Sequence, residues 1–220
     1  MNSRKAIIIG ATGLTGSNLL KTLLDDKRFS LVKIFVRKST GITHPKLEEH
    51  VINFDNYSQW KYMVTGDVLF SALGTTLKQA GGQDAQYKVD YSYQYQFAVA
   101  AAENHVPVYV LVSSASANPK SPFFYMRMKG ELERDVKKLN FDHIHILQPG
   151  FLAGERKEER FGEKIGLKVV KFLNRLGVVR GMTPMHGRCL AQAMINISFQ
   201  ATFKVQTYTL ADIFRYAARA

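Results

Sequence analysis

Tyr125 and Lys129 stand four residues apart, separated by Met126, Arg127 and Met128. On a helix that spacing puts a phenol and an ammonium on one face. A lysine charge beside a tyrosine stabilises the tyrosinate and lowers the phenol from its usual pKa of about 10. Such a tyrosine can exchange a proton with a carbonyl or a hydroxyl. Upstream, Ser113 and Ser114 follow directly on the apolar run Val108-Tyr109-Val110-Leu111-Val112. A serine hydroxyl at a strand end can hold the same substrate oxygen. Side chains alternate along a strand, so one of the two serines faces the site, and Ser114 is favoured. A tyrosine and lysine at this spacing also occur together on ordinary helix surfaces, so the pair gains its meaning from what surrounds it.

The start of the chain supplies that context. Arg4 to Ile9 reads as a buried strand, Gly10-Ala11-Thr12-Gly13-Leu14-Thr15-Gly16 as a turn, and Ser17 to Leu24 as a helix. Strand, glycine turn and helix N-terminus form a phosphate-binding device. Gly10 permits the tight turn, other glycines allow close backbone approach, and the helix start offers unpaired N–H groups to an anion. The spacing is G-x-x-G-x-x-G rather than the commoner G-x-G-x-x-G. In dinucleotide-binding folds an acid about 20 residues further on binds the ribose hydroxyls of NAD. Here the second strand ends Val36-Arg37-Lys38-Ser39, with no acid. A guanidinium and an ammonium suit a 2′-phosphate instead, so NADP(H) is expected over NAD(H). Lys129 is then also placed to grip the nicotinamide ribose.

These residues need a frame. In 220 residues one domain, 1–220, is the expected organisation, and a hydrophobic share of 46% allows a sizeable core. Apolar runs alternate with helical patterns, which implies a Rossmann-type α/β fold: a doubly wound parallel sheet of about seven strands with helices on both faces. The expected strands after the first are Leu31 to Val36, His50 to Phe54, Val68 to Leu73, Val108 to Val112, His143 to Leu147 and Val205 to Thr209. Gln86 to Glu103 and Phe123 to Leu139 read as long helices. Residues from about 151 to 184 break the alternation and read as a small substrate-side flap, because ligands sit beyond the carboxyl ends of the strands.

Bulk properties exclude some classes. No apolar run reaches the roughly 18 residues of a membrane span. The basic residues and isoleucines of 1–9 imitate a signal peptide, but the glycine turn interrupts them too early. Cys189 is the single cysteine, so no intrachain disulfide forms and a reducing, cytoplasmic location is expected. A net charge of +12 favours anionic partners, read chiefly as solubility and cofactor attraction. No nucleic-acid motif accompanies it, so nucleic-acid binding is not expected. Lys164, Lys168, Lys171 and Arg175 form a basic stripe within 160–176, read as a solvated helix face, with weak membrane-surface or protein contact as the other use. The six histidines show no metal-ligand spacing, so no metal is expected. His143 and His145 share a strand face, and His186 lies near the expected cleft mouth. Tyr87, Tyr91, Tyr93 and Tyr95 read as helix surface and packing.

Taken together, the glycine turn, Arg37, Leu73-Gly74-Thr75-Thr76, Ser113-Ser114, Tyr125/Lys129 and Gln148-Pro149-Gly150 resemble the short-chain dehydrogenase/reductase superfamily in its atypical or extended-type branch. Gln148 stands where that branch carries an arginine. Ala72 to Thr76, Ala80-Gly81, Val89-Asp90-Tyr91 and Phe124 to Glu131 are closer still to the subgroup of the human Tat-interactive protein and its bacterial relatives. The resemblance covers nearly the whole chain and is weakest from Gly154 to Pro184. It implies that Gly10, Thr12, Gly13, Leu14, Thr15 and Gly16 cradle the pyrophosphate and that Arg37 and Lys38 hold the 2′-phosphate. It further implies that Leu73, Gly74 and Thr75 line the adenosine and ribose side, and that Pro149 and Gly150 flank the nicotinamide. Ser113 or Ser114, Tyr125 and Lys129 are then the catalytic set.

The leading expectation is an NADP-dependent oxidoreductase that transfers a hydride to or from a small carbonyl or secondary alcohol. Two alternatives stand beside it: an NADP(H)-binding sensor acting through protein partners, and a nucleotide-sugar epimerase-like enzyme. The resemblance makes the epimerase less favoured, since the 70 residues 151–220 leave little room for a larger substrate domain. A monomer and a homodimer are both compatible with the pattern.

Overall fold

A computed structural model describes residues 3–150, 152–153, 185–201 and 203–218. Strand β1, Arg4–Ile9, runs through the middle of a seven-stranded parallel sheet. Ala6, Ile7, Ile8 and Ile9 are all fully buried, which explains an uninterrupted apolar run in place of alternation. Ala6 and Ile8 enter one hydrophobic core, Ile7 and Ile9 the other. The remaining strands are β2 (Phe29–Val36), β3 (Leu47–Val51), β4 (Val68–Ser71), β5 (Val108–Val112), β6 (His143–Leu147) and, closing the sheet, β9 (Val205–Tyr208). Their order is β3-β2-β1-β4-β5-β6-β9. A second, two-stranded piece pairs β7 (Leu152–Ala153) with β8 (Met185–His186).

Helix α1 (Leu14–Asp25) packs Leu19, Leu20 and Leu23 on one face of the sheet, with α7 (Gly187–Ile197) and α8 (Leu210–Ala217) beside it. The opposite face carries the short α2 (Tyr57–Trp60), α5 (Gln94–Glu103) and α6 (Phe124–Val136). Trp60 stacks on Phe97 at 4.1 Å between ring centres within that second core. Helix α8 opens with a reciprocal cap: Thr209 accepts from the Asp212 N–H, while Asp212 accepts from the Thr209 N–H at 3.0 Å.

Several elements shift by one to three residues from their expected bounds, such as β2, which begins at Phe29 rather than Leu31, and α6, which ends at Val136 rather than Leu139; three differences say more. The third strand is Leu47–Val51, not His50 to Phe54, because it pairs Leu47 with Val32 and Val51 with Val36. Its Glu48 and Glu49 suit an edge strand and disguised it, while Phe54 leaves the sheet to pack on Tyr93 and Phe97. The fourth strand ends at Ser71, two residues early. The expected single helix from Gln86 to Glu103 is three pieces: α4 (Gln83–Tyr87), a π-helical turn (Lys88–Tyr93) and α5, with the short α3 (Leu77–Ala80) before them. Tyr87, Tyr91 and Tyr95 stack along this stretch, and the Tyr87 and Tyr91 hydroxyls bond Glu131 and Asp135 of α6. The basic stripe and nearly all of the expected flap lie outside the described residues. Among the described residues, no helix is long and apolar enough to cross a membrane.

His145 of β6 is fully buried, with Nδ1 paired to the Tyr208 hydroxyl at 3.1 Å. Burial, with a smaller contribution from the nearby His143, pushes its pKa down to about 4. Below the ordinary histidine value of about 6.5 the unfolded chain takes a proton that the folded chain refuses. The stabilisation is therefore complete above that value and is lost as pH falls toward 4. Urea unfolding at pH 7 and pH 5 should show a loss of about 2 kcal/mol from this residue. His145→Leu should be correspondingly flatter over the same window; an equal slope in both proteins would rule the residue out as its source.

Candidate functional site

The sheet order reverses between β1 and β4, and their carboxyl ends open a crevice there. A cleft of about 480 Å³ fills that crevice. Gly13, Leu14 and Thr15 line one wall, Leu73 to Thr76 a second, and Ser113, Tyr125 and Lys129 a third. The turn between β1 and α1 is tight: the Gly13 N–H donates to the Gly10 carbonyl at 3.0 Å. Gly10 has φ +83°, and a Cβ there would come within 2.5 Å of the Ala72 and Leu73 backbone. A Cβ on Gly16 would lie 2.0 Å from the Gly10 carbonyl oxygen. These two positions hold the turn against the β4–α3 loop and the helix against the turn. Among the described residues no side chain caps α1, and no acid occupies its first turn. Its leading N–H groups therefore face outward to whatever anion reaches them.

The inner end of the cleft is polar. Lys129, on α6, is 4% exposed, and its Nζ lies 3.5 Å from Oδ1 of Asp90. Asp90, 2% exposed in the π-helical turn, also accepts the Thr75 N–H at 2.8 Å. Burial pushes the Asp90 carboxyl up, against the opposing pull of the Lys129 ammonium and the Thr75 N–H. Gln86 donates from Nε2 to the Thr75 carbonyl at 3.3 Å. Gln94 donates to the Asp90 carbonyl at 2.7 Å and accepts from the Ser71 hydroxyl at 2.7 Å. One turn after Lys129, buried Glu133 accepts the Ser113 hydroxyl at 2.5 Å and Nε2 of Gln148 at 2.9 Å. Ser113 thus lines the cleft while donating its proton to Glu133.

The structure brings together most of the residues expected from sequence. Gly13, Leu14, Thr15, Leu73, Gly74, Thr75, Ser113, Tyr125 and Lys129 share the cleft. Gly10 and Gly16 form the turn beneath it, and Thr12 is exposed on its surface. Tyr125 is 41% exposed in the first turn of α6, one turn before Lys129. Of the two serines, Ser113 lines the cleft. Ser114 is half-buried, and its carbonyl closes a turn by accepting the Ala117 N–H at 3.0 Å. Pro149 and Gly150 follow β6, with the Pro149 carbonyl accepting the Ala115 N–H at 3.1 Å. Arg37 and Lys38 stand exposed at the end of β2, and neither side chain makes an ion pair or hydrogen bond among the described residues. Just beyond them Glu49 ties down the loop, accepting the Ser39 hydroxyl at 2.5 Å and the Thr40 N–H at 2.9 Å. His186 is exposed in β8 and does not line the cleft. No group of metal-ligating side chains occurs among the described residues.

Sequence reasoning missed the carboxylates and amides under the cleft. Gln86, Asp90 and Gln94 recur at four-residue spacing within an otherwise helical stretch, and that polar row was the available signal. Glu133, four residues after Lys129 on α6, was equally visible and equally unassigned.

A family model described as NAD(P)H-binding matches residues 10–171. The mitochondrial protein FMP52 of Saccharomyces cerevisiae is 41% identical over 163 residues, spanning 71% of this chain and 70% of its own. The mitochondrial fmp52 of Aspergillus clavatus is 34% identical over 229 residues, spanning 96% and 97%. Among solved structures, UDP-N-acetylglucosamine 4-epimerase from Methanobrevibacter ruminantium superposes with a TM-score of 0.70 at 15% identity, covering 94% of this chain and 77% of its own. The dTDP-4-dehydrorhamnose reductase of Bacillus anthracis, in complex with NADP, gives 0.67 at 19%, covering 99% and 82%. These two likenesses show the fold. The expected cytoplasmic location is corrected by the relatives, which are named as mitochondrial proteins. A lone cysteine shows only that no intrachain disulfide forms and does not distinguish one compartment from another.

Proposed function

The chain belongs to the NAD(P)H-binding family of atypical short-chain dehydrogenase/reductase type, with the FMP52 proteins among its relatives, and from that premise we propose that it is an NADP(H)-dependent oxidoreductase acting on a carbonyl or secondary alcohol. The observation that carries this reading is the convergence of Ser113, Tyr125 and Lys129 on the cleft that also holds the glycine turn. The residues present fit the dinucleotide. A side chain at Gly10 or Gly16 would fill the space the backbone needs, and among the described residues no side chain caps α1 and none pairs with Arg37 or Lys38.

In this reading Gly13, Leu14 and Thr15 hold the pyrophosphate at the α1 N-terminus, and Leu73 to Thr75 line the cofactor along the wall that Asp90 ties to Lys129. Arg37 would hold the 2′-phosphate, a group a guanidinium can bond in a bidentate way, and Lys38 would add a point charge. Pro149 and Gly150 bound the nicotinamide end. When bound, the nicotinamide gives or takes the hydride. Tyr125 passes a proton from its hydroxyl to the carbonyl oxygen, or takes one from the alcohol, while Lys129 stabilises the phenolate and binds the ribose. Ser113 donates to Glu133 in this structure, so to hold the substrate oxygen its hydroxyl would turn from Glu133 and donate to that oxygen instead.

Binding of NADPH and NADH to wild type and Arg37→Ala tests the cofactor assignment. A lost charge-assisted phosphate contact of about 1.5–3 kcal/mol predicts NADPH affinity roughly 10- to 100-fold weaker in the variant. NADH, which lacks the phosphate, should bind both proteins alike. An unchanged NADPH affinity removes Arg37 from the site, and binding of neither nucleotide to wild type refutes the reading.

A further inference from the structure

Asp90 and Lys129 are the two charged side chains that line the cleft among the described residues. They are 2% and 4% exposed and lie 3.5 Å apart, so each is the nearest compensation the other has. A buried ammonium without a partner is costly, and removing one member of such a pair leaves an uncompensated charge. Asp90 does more than pair. Its second oxygen accepts the Thr75 N–H, and Gly74 lies close enough that a Cβ there would sit 3.2 Å from Oδ1. One carboxylate therefore anchors the lysine of α6 and the loop after β4 together. It does so at the end of the cleft where Ser113 and Tyr125 would receive substrate.

The oxidised nicotinamide ring carries a positive charge, and the reduced ring carries none. The rest of the cofactor is the same in both forms. A lone lysine charge at this end of the cleft would repel the oxidised ring and leave the reduced ring unaffected. From the pairing we propose that Asp90 is a positioning residue that cancels the Lys129 charge at the nicotinamide end, and so sets the relative affinity for oxidised and reduced cofactor. This inference rests on the cofactor-binding reading above. It differs from a simple packing role, which would change the affinity for both forms alike.

The test is calorimetric binding of NADP⁺ and NADPH at pH 7 to wild type, Asp90→Asn and Asp90→Asn/Lys129→Met. Asparagine keeps the shape and an oxygen for the Thr75 N–H and removes only the charge. For two like charges in one partly screened site, NADP⁺ affinity should fall about tenfold relative to NADPH in the single variant, equivalent to about 1.4 kcal/mol. The double variant, with neither charge, should return the ratio toward that of wild type. If Asp90→Asn does not fold, Asp90→Ser removes the same charge and should shift the ratio in the same direction. A ratio unchanged in a folded variant that still binds nucleotide overturns the role of Asp90 and leaves the cofactor site standing. So does a shift that the double variant fails to reverse. Absence of nucleotide binding by wild type would overturn both.

Discussion

Gly10→Ala should abolish nucleotide binding and destabilise the fold by about 2–5 kcal/mol. Two costs add. The residue sits at φ +83°, where a side chain costs roughly 1–2 kcal/mol against the following carbonyl. The new Cβ would also meet three backbone atoms of Ala72 and Leu73 at 2.5 Å, and backbone cannot rotate aside as a side chain can. Overpacking of this kind typically costs about 1–3 kcal/mol. Relief requires the turn to move away from the β4–α3 loop, and those are the two walls of the cleft. Gly41→Ala separates the two costs. Gly41 has φ +69°, but its Cβ would meet nothing within 4 Å, so only the conformational part, about 1–2 kcal/mol, should appear. Chemical denaturation of both variants, with NADPH titration of each, reads the difference. A Gly10→Ala protein no worse than Gly41→Ala would mean that the turn and the loop are not in close contact.

Tyr125→Phe should lower kcat by about 10²–10⁴-fold on any carbonyl compound the wild type reduces, with NADPH affinity unchanged. The substitution deletes one hydroxyl from a side chain that is 41% exposed at the mouth, so folding is not at stake. The expected pattern is a loss in the chemical step alone, which single-turnover measurement of NADPH oxidation isolates. Ser113→Ala should behave differently. It also frees Glu133 from its 2.5 Å hydrogen bond, so its effect mixes substrate orientation with a rearranged carboxylate. Full turnover by Tyr125→Phe would remove the phenol from proton transfer. The second role read from the sequence, a cofactor-occupied sensor, would then stand in its place.

The parts of this molecule legible from sequence are those where one residue type answers one local demand. The β1 run, the glycine turn and the Tyr125/Lys129 spacing each follow from backbone geometry within a few residues. The strands β5 and β6 were placed to the residue because they are short, apolar and flanked by clear breaks. β3 was not, because an edge strand needs apolar residues on one side only and hides charge on the other. The π-helical turn escaped because its extra residue per turn leaves no mark in composition. Asp90, Gln94 and Glu133 escaped for a different reason. Their roles depend on partners 39, 23 and 20 residues away, at Lys129, Ser71 and Ser113, and such pairings emerge only once the sheet order is known. Strand alternation, by which one of Ser113 and Ser114 faces the site, assumes that the strand continues past Val112. The strand ends there, and the alternation rule ends with it.

The contact between α7 and α1 has a consequence for how the molecule is made. Gly187, the first residue of α7, lies so close to α1 that a Cβ would come within 2.9 Å of the Leu14 carbonyl oxygen. Beyond it, Leu190, Ala191 and Met194 belong to the same core as Leu19, Leu20 and Leu23 of α1. During synthesis the glycine turn leaves the ribosome well before the helix that seats α1 on the sheet, which comes some 170 positions later (187 against 14). Until then the apolar face of α1 lacks its cover. Nucleotide capture therefore belongs to the finished protein rather than the growing chain, and premature termination before residue 187 yields a product that has the glycine turn but cannot hold it in place.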